Sequence, residues 1–173
     1  MLINQAIHAI DLMLWLTGRP DRVTARMRTL NHAIEVEDGV IATLEYADNR
    51  LGLIQATTAA YPGTAERLEV YGTRGSAIYH KGEGRLEWHL IDPRADHVLE
   101  ANISSGAANP MDITAAGHAA VFQDFAEAIR QGSHPLIDGA EGRRSVEVVE
   151  AIYQAARSGG TISTVACREM PPT

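Results

Sequence analysis

The spacing of hydrophobic and polar residues changes along the chain. Residues 3–17 carry apolar side chains at helical spacing, closed by a glycine and a proline, so this segment predicts a helix. Residues 20–103 contain short runs in which apolar and polar positions alternate, which predicts about six or seven strands. Residues 115–131 and 139–158 return to helical spacing. The order is therefore one helix, a block of strands, then two helices.

The breaks between the strand-like runs are short. Asp48-Asn49 and the stretch Gly72 to Gly75 are typical turns, and short connections join antiparallel neighbours. A last short strand is expected over residues 161–165. The pattern predicts an α+β fold, with a mostly antiparallel, open-faced sheet that has helices packed on one face. Residues 1–167 are expected to form a single domain, and residues 168–173 a flexible tail.

The sheet face away from the helices is expected to be half apolar. We assign Ile41, Ile54, Ala56 and Thr58 to this face, which suggests burial against a second subunit and predicts a homo-oligomer, a dimer or a tetramer. The large aromatic residues are simplest to interpret as core, and they are Trp15, Trp88, Phe122 and Phe125.

Composition and charge exclude several classes of protein. The chain has 173 residues, 45% of them hydrophobic, and a formal net charge of −7 without a Lys/Arg cluster, so binding of nucleic acid or of an anionic membrane is not expected. A single cysteine excludes a disulfide within the chain and argues against a cysteine-based zinc site. The apolar run near the start is too short to span a bilayer, and a cytoplasmic location is expected.

Sequence signatures of cofactor and metal sites are missing. No GxGxxG follows a strand, and the nearest fragments, Gly72 to Gly75 and Gly82-Glu83-Gly84, are expected to be turns between strands. The histidines of the strand region are scattered, which favours surface positions over a metal site. We therefore assign no cofactor-binding or metal-binding residue in this chain.

The first helix carries residues suited to acid–base chemistry. On an ideal helix Asn4, His8 and Asp11 share one face. An imidazole can exchange a proton with a substrate hydroxyl near neutral pH, a carboxylate can orient the imidazole, and an amide can hold the hydroxyl. The alternative is structural: His8 lies at the edge of a core and Asp11 pairs with a neighbouring base. Spacing alone favours this alternative, because an H-x-x-D pair is common.

Four segments carry a resemblance to a known family. NQAIHAIDLMLWLTG at residues 4–18 resembles the D/N-x-x-x-H-x-x-D helix, ending in W-L-x-G, that opens the C-terminal domain of the glucose–fructose oxidoreductase and inositol dehydrogenase (Gfo/Idh/MocA) superfamily. VEDGVIATLEYADNRLGLIQAT is similar to its paired central strands, and LEVYGTRGSAIY to its G-T-x-G hairpin. FAEAIRQGSHPLIDGAEGRRSVEVVEAIYQAARSGGTI is similar to its two closing helices and last strand. Together the matches cover nearly the whole chain in order.

The resemblance implies a two-domain enzyme of which this chain is one part. In that family an N-terminal Rossmann domain, missing from this chain, binds NAD or NADP and supplies a lysine. The C-terminal domain, of the dihydrodipicolinate-reductase-like type, supplies the substrate pocket and the sheet face used for oligomers. His8 is then the catalytic acid/base and Asp11 its partner. Asn4 stands where the family often has aspartate, which puts a proton relay there in doubt but still allows binding of a substrate hydroxyl. Tyr61, after a central strand, is a further substrate-binding candidate.

The resulting expectation is a substrate-binding and oligomerisation domain of an NAD(P)-dependent oxidoreductase. The implied substrate is a sugar, a polyol or a related hydroxy compound. The chain alone is expected to bind no cofactor and to be inactive in hydride transfer, and whether it is an enzyme by itself stays open. The alternative is a stand-alone, non-catalytic interaction module that dimerises through its sheet face.

Overall fold

The structure, a computed structural model, describes residues 1–92, 94, 96–100 and 116–164. The chain divides into two compact units, one formed by Met1–Gly63 with Ile137–Thr173 and the other by Thr64–Leu136. The predicted tail at residues 168–173 and the end of the last predicted strand lie outside the described residues. The expectation of a single domain over residues 1–167 stays a prediction.

The described elements follow the predicted order of one helix, a block of strands and two helices. A π-helical turn at Leu2–Ala6 leads directly into helix α1. The α-helices are α1 (Ile7–Thr17), α2 (Ala116–Gln131) and α3 (Gly139–Ser158). The strands are β1 (Arg22–Arg28), β2 (Gly39–Glu45), β3 (Leu51–Thr57), β4 (Arg67–Gly72), β5 (Gly75–His80), β6 (Arg85–Leu90), β7 (His97–Glu100) and β8 (Thr161–Ser163).

The first unit is an antiparallel sheet with helices on one face. Its strand order is β3-β2-β1-β8, and α3 packs on β1 while α1 packs on α3. Alternate residues of β1 and β2, such as Val23 and Leu44, are fully buried beneath the helices, as are Val148 and Ile152 of α3. Each such side chain stabilises the fold by about 1.5–3 kcal/mol. Asp138 caps α3 by accepting a hydrogen bond from the backbone N–H of Glu141 at 2.9 Å.

The second unit contains an antiparallel sheet in the order β4-β5-β6-β7 and helix α2. Tight turns connect β4 with β5 and β5 with β6. Gly75 opens β5 with a φ of +150°, and a Cβ at this position would collide with the carbonyl oxygen of His89 on β6. Only glycine fits this crowded corner, which explains the Gly-Thr-Arg-Gly turn.

The predicted fold class is confirmed, but the strands form two sheets rather than one. The assignment of Ile54 and Ala56 to the outer sheet face was wrong. In the observed register Ala42 pairs with Ile54 and Val40 with Ala56, so both side chains lie on the face covered by helices. Side-chain direction alternates along a strand, so the parity of the β2–β3 connection decides the face. Ile41 does lie on the outer face and is 54% exposed.

The aromatic residues assigned to the core are exposed. Trp15 is 75% exposed, Phe122 73% and Phe125 55%, and Trp88 is 40% exposed. The prediction was wrong because a periodic pattern tells which side chains share a helix face without telling what covers that face. In the part of the chain that the structure describes, no helix is both long enough and apolar enough to cross a membrane.

Candidate functional site

Helix α1 has one buried apolar face and one exposed face that carries polar and ionisable side chains. Ile10, Met13 and Leu14 are buried. Asn4, His8 and Asp11, the residues that the sequence singled out, are all exposed. The exposed Trp15 lies one turn beyond Asp11 and continues the row. Sequence reasoning missed Trp15 as a member of this row because it treated every tryptophan as core.

The row does not lie on one ideal helix, because Asn4 belongs to the π-helical turn. This turn spans Leu2–Ala6 and leads directly into α1. A π turn holds more residues than an α turn, so Asn4 is rotated relative to His8 from the position that α-helical spacing predicts. Single π turns within helices occur frequently at functional sites.

A buried carboxylate fixes the start of this helix. Glu37 is 6% exposed, and its Oε1 accepts hydrogen bonds from the Leu2 N–H at 2.8 Å and from the Tyr153 hydroxyl at 3.0 Å. The amino group of Met1 also donates to it. Burial raises the pKa of Glu37, but these hydrogen bonds, led by that from Leu2, outweigh burial and hold the pKa below its usual value. The pKa of Tyr153 is raised to about 12, mainly by burial and secondly by its hydrogen bond to the Glu37 carboxylate.

A second carboxylate shapes the loop next to Glu37. Asp38 is fully buried and accepts hydrogen bonds from three consecutive backbone N–H groups, those of Leu30, Asn31 and His32. These bonds, led by that from Asn31, hold the pKa of Asp38 well below its usual range. The two adjacent acids therefore hold the start of α1 and the loop after β1, a structural role that the sequence analysis did not assign.

Asp11 links α1 to α3. Its Oδ1 accepts a hydrogen bond of 2.5 Å from the hydroxyl of Ser145, which is 4% exposed. The partner is a hydroxyl, not the base considered in the structural alternative. The sequence analysis missed Ser145, although a serine within the apolar stripe of a helix is a signal, since a buried hydroxyl needs a hydrogen-bond partner.

The imidazole of His8 is free within the described residues. It forms no hydrogen bond or ion pair there, and neither of its ring nitrogens pairs with Asp11. The structure therefore presents His8 as an exposed imidazole beside an anchored carboxylate. Such a group can exchange a proton with a bound hydroxyl, provided that a ligand or another protein surface covers the face.

Tyr61 does not join this row through any described contact. It lies in the segment after β3, is 98% exposed, and precedes Pro62 across a cis peptide bond. Its hydroxyl makes no hydrogen bond within the described residues. Its assignment to the substrate site stays a prediction.

The described residues do not fit a dinucleotide or a metal ion. The turns at Gly72 to Gly75 and Gly82 to Gly84 lie in hairpins and open no helix, so they lack the phosphate-binding geometry of a strand–loop–helix unit. Across residues 1–92, 94, 96–100 and 116–164, no three His, Cys, Asp or Glu side chains converge as metal ligands.

Comparison with known proteins confirms the family resemblance. Residues 1–78 match the GFO/IDH/MocA C-terminal domain. The chain is 24% identical over 162 residues to D-apiose dehydrogenase of Rhizobium rhizogenes, covering 90% of this chain and 46% of that enzyme.

Two solved structures share the fold. An oxidoreductase from Agrobacterium radiobacter, in complex with NAD+, L-tartaric acid and magnesium, has a TM-score of 0.79 and 23% identity, covering 96% of this chain and 49% of that one. The WlbA dehydrogenase from Bordetella pertussis, in complex with NADH and UDP-GlcNAcA, has a TM-score of 0.72 and 27% identity, covering 99% of this chain and 46% of that one. The chain thus spans about half the length of the relatives it matches.

Proposed function

We propose that this chain is the substrate-binding and oligomerisation part of an NAD(P)-dependent oxidoreductase that acts on a sugar, a polyol or a related hydroxy compound. The sugar-type compounds and NAD named with the similar proteins support the class of substrate and cofactor. The dinucleotide would be bound by protein sequence beyond this chain, since the described residues do not fit it. A cytoplasmic location belongs to the same proposal.

The observation that carries the proposal is the exposed His8 on the face of α1 opposite its buried residues. A histidine kept for packing would have a partner or be buried, and His8 has neither within the described residues. The neighbouring Asp11 is held by Ser145, so its carboxylate is fixed close to His8 along the helix. Binding sites are more accurate when such groups stand on a rigid element.

In this proposal His8 accepts the proton of a substrate hydroxyl during oxidation and returns it during reduction. The amide of Asn4 binds a hydroxyl of the same substrate, and the exposed indole of Trp15 covers an apolar sugar face. The hydrogen bond from Ser145 supports a positioning role for Asp11 beside His8. Tyr61 is retained as a substrate-binding candidate on the basis of its place after β3.

The test uses the complete reading frame that contains this chain. We expect His8→Asn to lower kcat by about 10²–10⁴-fold, the usual contribution of an acid or base, while substrate binding changes little. His118→Asn, at an exposed position of α2, is the matched control and should keep full activity. Full activity in His8→Asn would refute the assignment.

The oligomerisation part rests on the outer face of the first sheet. Ile41, Leu51 and Leu53 expose 54%, 81% and 65% of their surface on β2 and β3. Contiguous exposed apolar side chains mark interaction surfaces. We propose that a second copy of the chain covers this face.

The same face is the observation that favours the alternative, a non-catalytic interaction module. Light scattering over a wide concentration range should show a dimer or tetramer, and the Leu53→Lys variant should be a monomer. The control is Leu136→Lys, at a position that is 83% exposed, and this variant should keep the oligomeric state of the unmodified chain. A monomer at all concentrations would contradict the oligomer, and a dimer combined with no oxidoreductase activity of the complete reading frame would favour the module.

A further inference from the structure

A pocket of about 570 Å³ lies in the first unit, beside the end of β1. Strand β8 pairs only with Arg22 to Thr24 of β1, and the pocket lies beyond that pairing. Its walls come from the end of β1, the segment before β2, and α3. The volume falls within the range of about 300–1,000 Å³ that is typical of small-molecule sites. None of Asn4, His8 and Asp11 lines it, so the pocket is separate from the row on α1.

Two arginines line this pocket without a carboxylate partner. Arg28 donates from Nη1 to the carbonyl oxygen of Met27 at 2.8 Å, and the guanidinium of Arg157 stands 5.5 Å from the ring centroid of Tyr153. Both contacts hold a guanidinium in place, and neither neutralises its charge. Within the described residues neither arginine forms an ion pair, whereas Arg50, for example, pairs with Asp48 at 2.7 Å.

The acids of the pocket define the charge of a suitable ligand. Glu37 is already paired with the Met1 amino group at 3.0 Å, which offsets its charge, and it also accepts hydrogen bonds from the Leu2 N–H and the Tyr153 hydroxyl. Glu35 is exposed and has no partner within the described residues. Two unpaired guanidinium groups beside one unpaired carboxylate favour an anion of a single charge, and the carboxylate favours a ligand that also carries a hydrogen-bond donor.

We propose that this pocket binds a small hydroxycarboxylate. The planar guanidinium groups of Arg28 and Arg157 hold its carboxylate, since two parallel N–H donors match the two oxygens. Its hydroxyl donates to Glu35, and Met27 and Val36 contact its carbon atoms. A phosphate dianion fits less well, because its second charge would face Glu35. This proposal does not depend on the oxidoreductase function.

The experiment titrates the ¹⁵N-labelled chain at constant ionic strength and follows the Nε–Hε signals of the arginines by NMR. L-lactate is the probe, propane-1,2-diol lacks its carboxylate, and propionate lacks its hydroxyl. We expect saturable shifts of the Arg28 and Arg157 signals with lactate, weaker binding of propionate, and no response to the diol.

Variants then separate the pocket from general attraction to positive charge. Arg28→Gln or Arg157→Gln should weaken lactate binding about tenfold, which corresponds to about 1.4 kcal/mol. Arg26→Gln is the matched control, because Arg26 lies on the same strand, also lacks a carboxylate partner, and does not line the pocket. Its lactate affinity should be unchanged.

Several results would overturn the proposal. Absence of saturable lactate shifts in the unmodified chain would do so without any variant. Equal weakening by Arg26→Gln and Arg28→Gln would show a non-specific charge effect. Tighter binding of inorganic phosphate than of lactate would show that the hydroxycarboxylate is the wrong ligand class.

Discussion

Replacing Tyr153 by phenylalanine tests how the start of helix α1 is held. The substitution keeps the ring and its packing and removes one atom, the hydroxyl that donates to Glu37 at 3.0 Å. Glu37 keeps the Leu2 N–H at 2.8 Å and the Met1 amino group at 3.0 Å. The buried carboxylate therefore loses part of its hydrogen bonding rather than all of it.

The expected cost follows from the kind of bond that is lost. A hydrogen bond to a charged group contributes about 1.5–3 kcal/mol, and the donors that remain on Glu37 lower the expected loss to about 1–2 kcal/mol, around and below the lower end of that range. The elevated pKa of Tyr153 is not a measure of this loss, because its largest cause is burial, which penalises the phenolate without stabilising the neutral phenol. For a chain of this length the melting temperature should fall by roughly 2–8 °C.

The assay is thermal unfolding followed by circular dichroism, with Tyr71→Phe as the control. The Tyr71 hydroxyl donates to Glu69 at 2.5 Å, but Tyr71 is 73% exposed, so the same atom is removed from a bond in contact with water. Tyr71→Phe should leave the melting temperature unchanged within error. An equal loss in both variants, or no loss in Tyr153→Phe, would refute the argument that the buried Glu37 needs this donor.

Alkaline pH provides a second test at Tyr153, of its burial and its bond to Glu37 together. The pKa of Tyr153 is raised from 10.0 to about 12 in the folded chain, so its contribution is complete below pH 10 and is lost as the pH rises toward 12. The difference in unfolding free energy between the unmodified chain and Tyr153→Phe should therefore shrink in this window. A difference that stays constant up to pH 12 would contradict the assignment.

Three further predictions follow from the described contacts. The pKa of Glu37 is lowered from 4.5, so the contribution of Glu37 to stability is complete above pH 4.5 and is lost as the pH falls through the pKa of the folded state. Acid unfolding monitored by circular dichroism should therefore begin below pH 4.5. An unfolding free energy that stays unchanged down to pH 3 would contradict this prediction. Ser145→Ala should lower the free energy of unfolding in urea by about 1 kcal/mol, because Asp11 loses a charge-assisted hydrogen bond but remains hydrated. An unchanged free energy of unfolding would show that this bond does not hold α1 in place. Gly75→Ala should cost about 1–3 kcal/mol, because φ at this position is +150° and the Cβ meets the backbone of β6; Gly142→Ala, whose added Cβ meets nothing, is the control that should not destabilise.

The sequence predicted the elements of secondary structure because their signals are local. Helix α3 runs over Gly139–Ser158 as its pattern indicated, and in the structure Asp138 caps its N-terminus and Gly159 takes the left-handed conformation at its C-terminus. The antiparallel pairing of β2 with β3 followed from the short turn between them. Such signals depend on residues a few positions apart, which a single sequence displays directly.

The sequence predicted the site residues that lie close together along the first helical segment, but it did not predict their contacts with distant parts of the chain. The exposure of Asn4, His8 and Asp11 follows from their place opposite the apolar stripe of α1. The bond from Ser145 to Asp11 joins residues 134 positions apart, and no local pattern reports it.

By itself, then, the sequence indicated the order of the elements, the approximate extent of the helices, a block of about six or seven strands with antiparallel connections, and the polar residues Asn4, His8 and Asp11 near its start. Only the tertiary structure decided that Ile54 faces the helices, that Trp15 and Phe122 are exposed, that the strands form two sheets, and that Glu37 holds the start of α1. The physical reason is common to all four. Periodicity fixes which side chains share a face, whereas burial and long-range hydrogen bonds depend on which distant surface that face meets.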